Sequence, residues 1–158
     1  AYMQWTIPSW ISSESPRRVG APTAIGDTPP MLNRLRRPLL YLLSFQLCAT
    51  GTLHLLNPDF FVAIIPASLP NPEWLNLISG LFEIVIGVYL LEPRTRVLAA
   101  WGAIALMIAV FPANVNMMLE NIGPDGPGSG DPFTNWARLP FQLVFILWAW
   151  WFTRPDPE

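Results

Sequence analysis

The sequence predicts an all-α membrane protein: a four-helix transmembrane bundle with a short interfacial helix between spans one and two and an extended N-terminal tail. Three observations predict it. Hydrophobic residues make up 52% of the 158-residue chain and charged residues only 13%, well below the ~25% charged of a soluble domain. The apolar residues gather in four long runs, each near the ~20 residues that a bilayer helix needs. Glu83 stands in the middle of one of them, Trp74 to Leu91. An ionised carboxylate facing lipid there is costly, so Glu83 must be protonated, paired or turned to a cavity.

The chain divides into a Pro-rich tail, residues 1–31, and a transmembrane domain, residues 32–158. The tail carries Pro8, Pro16, Pro22, Pro29 and Pro30, and among them Tyr2, Trp5, Ile7, Trp10 and Ile11. Such a stretch has no core of its own. Its aromatic and aliphatic residues are expected to dock on the bundle, on lipid headgroups or on a partner. The first thirty residues hold no apolar core of the length a cleavable secretory signal needs. Ala1 fits removal of an initiator methionine or of a preceding targeting segment, and both alternatives stand.

The first span is expected from about Pro38 to Leu56, with Pro38 in the first turn, where a missing N–H costs nothing. The loop 57–72 is too apolar for an exposed connection. Phe60, Phe61, Ile64, Ile65 and Leu69 predict a short helix lying in the interface. The second span runs from about Glu73 to Leu91 and stops near Pro93. Gly80 and Gly87 share the helix face of Glu83, and small residues let a neighbouring helix come close. The third span runs from about Thr95 to Met118. Pro112 inside it frees the carbonyl of Ile108 and predicts a kink or an early end, with the amides of Asn114 and Asn116 suited to satisfy the freed backbone. The loop 121–135 reads as a flexible turn region. The fourth span runs from about Trp136 to Thr153, its start the least defined.

Four crossings put both termini on one side. That side holds Arg17, Arg18, Arg34, Arg36, Arg37, Arg94, Arg96 and Arg154, and the other holds only Arg138. The positive-inside rule places the arginine-rich side in the cytoplasm, so the expected location is a bacterial inner membrane or its organelle equivalent. Trp148, Trp150 and Trp151 fit the inner aromatic belt, Trp74 and Trp136 the outer one.

Composition excludes several functions. A net charge of −2 argues against a nucleic-acid partner. Cys48 is the single cysteine, so no internal disulfide or CxxC chemistry is available. His54 is the single histidine, which rules out bis-histidine haem ligation and leaves no Cys/His set for zinc. No metal site, covalently bound cofactor or catalytic set is visible, and an enzymatic role is not the expectation.

Polar groups inside the spans are the candidate site. His54, Asn114, Arg138 and Gln142 all lie near the outer ends of their spans and could meet there. Glu83 lies on the order of 15 Å deeper than Glu73. Gln46, Thr50 and His54 form a stripe at i, i+4 and i+8, and the simplest partner for Glu83 is Gln46, or a water beneath His54. The candidate ligand-binding residues are therefore His54, Glu83, Asn114 and Gln142. A structural role stands beside each: Glu83 as a hydrogen-bonded helix linker, His54 as a helix-end residue, Asn114 as a cap.

Several stretches together resemble the DoxX-like family of small four-helix membrane proteins. They are Gly51 to Pro58 with His54, Ile65-Pro66 and Leu69-Pro70, Ser79 to Gly87 with Glu83, Leu90 to Arg96 with Ala99 to Gly102, Phe111 to Met117, and Arg138 to Gln142. They span roughly residues 38 to 153. The resemblance implies the fold, and a link to quinone or thiol redox chemistry; Cys48, lacking a partner, departs from the thiol-active relatives.

Two functions are expected from this. The first is a non-catalytic accessory subunit of a respiratory or photosynthetic electron-transfer complex, its tail clamping a neighbouring membrane subunit. The second is a quinone- or lipid-binding protein, redox-linked through His54 and Glu83. A transporter is disfavoured, because broken-helix pairs and inverted repeats are absent from the sequence.

Overall fold

The structure, a computed structural model, describes residues 30–154, with side chains from Arg34 onward. Five helices follow one another: α1 (Pro30–Leu56), α2 (Pro58–Ile64), α3 (Pro72–Leu91), α4 (Arg96–Leu119) and α5 (Pro132–Trp151). No strand occurs among the described residues. Four of the five helices, α1, α2, α3 and α5, begin on proline, where the first-turn N–H has no intrahelical partner to lose. Asp131 caps α5, its side chain accepting from the Thr134 amide at 2.9 Å.

The chain packs in sequence order. α3 lies along α1, α4 along α3 and α5 along α4, whereas α1 and α5 have almost no backbone contact. The α1–α3 seam is antiparallel and tight. Ser44 donates to the Gly87 carbonyl, Cys48 lies against Ile84, and His54 meets Asn76. A Cβ on Gly51 would stand 2.5 Å from the Gly80 carbonyl oxygen, and one on Gly80 2.6 Å from the His54 Cβ. The glycine face expected around Glu83 is thus the face that receives α1.

The main core lies toward the end where α1 begins and α5 finishes, the arginine end. Leu40, Leu43, Leu47, Leu90, Ala100, Ala149 and Phe152 are buried together there. A second cluster at the opposite end, the α2 end, joins Ile64, Met117 and Ile122, with Phe60 and Phe61 against it.

Three helical segments, Arg34–Leu56, Pro72–Leu91 and Arg96–Leu119, are long and apolar enough to cross a membrane. α5 is not among them, and Asn135, Arg138 and Gln142 in its first half are the reason. Large apolar side chains cover the outside of the helices: Phe45 is 69% exposed, Leu98 76% and Ile108 61%. That exterior is compatible with a membrane protein.

Several local expectations are corrected. Pro38 does not sit in a first turn; α1 starts at Pro30 and carries Pro38 inside it. Tertiary contact holds the extra turns, since Arg36 donates to the Arg154 carbonyl and lies over the Phe152 ring at 5.8 Å. Pro112 does not end α4, which continues to Leu119. α5 begins at Pro132, whereas the helix expected there was to start near Trp136. The loop 121–135 is a tied structure. Asn121 donates to the Gly130 carbonyl, Asn135 donates to Asn121 Oδ1 and the Ile122 carbonyl, and the Ile122 side chain is buried.

Candidate functional site

Between the helices, toward the α2 end, lies a cavity of about 230 Å³ lined by all five elements. A single water needs only ~10–15 Å³ of such space, so this volume suits a larger guest. Its walls are mostly apolar, formed by Leu43 and Leu47 of α1, Met107 and Val110 of α4, and Phe141 and Phe145 of α5. α2 roofs it. Phe60, Phe61, Ile64 and Ile65 all turn onto the cavity, so the short helix expected from these residues exists and folds its apolar face inward. Leu69 stays exposed.

The four sequence-predicted ligand residues, His54, Glu83, Asn114 and Gln142, line this one cavity, and Arg138 stands on its margin. Tyr2, Trp5, Ile7, Trp10 and Ile11, the predicted partner-binding residues, lie outside the described residues.

Glu83 is buried, 5% exposed, and its Oε2 has no hydrogen-bond partner. Gln46 is not its partner. The Gln46 amide reaches Thr50 Oγ1 at 3.3 Å on an exposed part of α1. The imidazole stands across from it instead, His54 Nε2 lying 3.9 Å from Glu83 Oε1. That is too long for a hydrogen bond.

His54 is held on three sides. Asn76 Nδ2 donates to the His54 carbonyl at 3.0 Å, one of the last carbonyls of α1 and so without an intrahelical partner. Asn76 Oδ1 then faces His54 Nδ1 at 2.7 Å. An amide oxygen only accepts, so Nδ1 carries the hydrogen and Nε2 is left to face Glu83. Phe61 stacks on the ring with centroids 3.7 Å apart. Asn76 is the residue that sequence reasoning missed. Its signal was its register, since Asn76, Gly80, Glu83 and Gly87 fall on one helical face.

Asn114 and Gln142 are coupled to each other. Asn114 Nδ2 donates to Gln142 Oε1 at 3.0 Å, and Gln142 Nε2 donates to the Met107 carbonyl. This carbonyl is the neighbour of the one that Pro112 frees, so the backbone near the proline is served from α5. Asn116 donates to the Ile64 carbonyl at 3.1 Å and ties α2 to α4. Neither asparagine satisfies Ile108, as the sequence had suggested, because both amides point to neighbouring elements.

Among the described residues, no group of three His, Cys, Asp or Glu side chains is placed to hold a metal ion. The arrangement offers one polar corner, His54 and Glu83, inside an otherwise apolar chamber.

Residues 43–153 match the model of a protein family described as a domain of unknown function (DUF8561). No curated protein and no solved structure matches the chain.

Proposed function

The chain belongs to the DUF8561 family, and on the geometry of its interior we propose that it is a membrane-embedded binder of a lipid-like small molecule. The carrying observation is Glu83: a buried carboxyl without a hydrogen bond, its Oε1 3.9 Å from His54 Nε2, on the wall of a chamber far larger than a water. Leaving such a group unsatisfied costs about 1–3 kcal/mol. A ligand that supplies the missing hydrogen bond offsets that cost. A quinone, the head group implied by the DoxX-like resemblance, belongs to this class, and that resemblance rests on its motifs alone. The accessory-subunit reading rests on tail residues outside the described region, so the cavity carries the proposal.

The proposal includes four membrane crossings, with α5 as the fourth and α2 at the outer interface. Two observations support it. Arg36 meets Arg154, so α1 begins where α5 ends. The arginines at that end favour the cytoplasmic side. Asp125→Cys and Thr153→Cys in a Cys48→Ala background test this. An impermeant maleimide added to intact cells should label the first and spare the second; equal labelling would refute the fourth crossing.

Binding is tested by extracting the protein with its lipids in polymer nanodiscs and identifying what co-purifies. The wild type should retain a defined small molecule that Ala113→Trp, which fills the chamber, does not. Identical lipid profiles for the two would remove the binding function.

A further inference from the structure

The space between His54 Nε2 and Glu83 Oε1 specifies what the guest must present. The two atoms are 3.9 Å apart. An oxygen at hydrogen-bond distance from both, ~2.8 Å, would see them at an angle of roughly 90°. That angle is open to an atom that uses one hydrogen and one lone pair.

The neighbours fix the hydrogen count. Asn76 holds the hydrogen on Nδ1, so the imidazole Nε2 and the Glu83 carboxyl share one exchangeable proton when the pair is neutral. With the proton on Glu83, the carboxyl donates into the gap and Nε2 accepts from it. With the proton on Nε2, the imidazole donates and the carboxylate accepts. In both placements the gap asks for one group that accepts one hydrogen bond and donates another. A hydroxyl does this. An ether or carbonyl oxygen, a quinone's included, accepts only, and leaves a buried lone pair facing its own.

The route to the gap is lateral. α1 and α5 both line the chamber yet have almost no backbone contact. The exposed Gln46 and Phe141 stand on its margin. The chamber therefore opens toward the surface that hydrocarbon would cover.

We infer that the guest is a hydroxyl-headed amphiphile, entering from the bilayer between α1 and α5 and placing its O–H between His54 and Glu83. This rests on the binding function proposed above and names the ligand class. A lone water offers the same hydroxyl chemistry, and the test separates the two sources.

The probes are octadecanol carrying a chain diazirine and its methyl ether, photolysed with the protein in nanodiscs and mapped by mass spectrometry. The alcohol should label chamber residues such as Val110 and Phe145 about tenfold more than the ether, the factor expected for one lost buried hydrogen bond. His54→Phe, which keeps the stack on Phe61, and Glu83→Leu should bring alcohol labelling down to the ether level. Equal chamber labelling by both probes in the wild type overturns the hydroxyl inference, leaves the binding function standing and assigns the gap to water. Chamber labelling by neither probe overturns the inference, and where a co-purifying lipid is still found, it shows that the true guest is of another class. The wild-type probe pair decides by itself if either variant fails to fold.

Discussion

Asn76 grips His54 by both its ring and its backbone: Oδ1 lies 2.7 Å from Nδ1, while Nδ2 donates to the His54 carbonyl at 3.0 Å. One side chain of α3 thereby caps the end of α1 and sets the tautomer that looks at Glu83. Asn76→Leu should destabilise the protein by about 1–3 kcal/mol, the cost of stranding buried partners. It should also release the tautomer. Nitrogen NMR of the ring checks this: the wild type should show hydrogen on Nδ1, and the variant a mixture.

The α1–α3 seam depends on missing side chains. Gly51→Ala puts a methyl 2.5 Å from a backbone oxygen, whereas the same change at Gly102 meets only the Ile86 side chain at 3.5 Å. The first should cost about 1–3 kcal/mol through overpacking; the second should be near neutral. Thermal unfolding in one detergent compares the pair.

Function and stability should oppose each other at Glu83. Glu83→Leu removes a buried, unpartnered oxygen and should stabilise the ligand-free protein by about 1–3 kcal/mol, while abolishing retention of the co-purifying molecule. A loss of stability on this substitution would show that the carboxyl holds the helices together instead.

Asp131 gives the α5 cap a pH dependence. The Thr134 side-chain and backbone hydrogen bonds lower its pKa from the ordinary value of 3.8. A lowered folded-state value means that the cap's contribution is present at neutral pH and fades as the pH falls from about 3.8 through the folded value. Asp131→Asn, which still caps but does not titrate, should flatten that part of the melting-temperature profile. An unchanged profile would place the acid sensitivity elsewhere.

Much of the site was legible because helical register is readable. Glu83 with Gly80 and Gly87 predicted a buried face, and His54, Glu83, Asn114 and Gln142 do meet in one chamber. The level along the α1–α3 pair was legible too, but rotation was not. Gln46 lies close to the level of Glu83 in that register, yet the buried stripe of α1 is Leu43, Leu47 and Gly51, and Gln46 falls one residue off it, ~100° around the helix. The prolines misled for a related reason. Pro38 and Pro112 are costly to a lone helix, but contacts from Arg36 and Gln142 support the segments around them, and such contacts cannot be read from a local window. The loop 121–135 looked slack because its order comes from one buried isoleucine and two asparagines, too few to make a pattern.

The chamber's content is the central claim, and Met107 reports on it. Its side chain lines the chamber and is partly buried. With methyl-labelled methionine in an otherwise deuterated protein, Met107 should show nuclear Overhauser contacts to aliphatic chain protons of a bound molecule. Contacts to water alone would contradict the account.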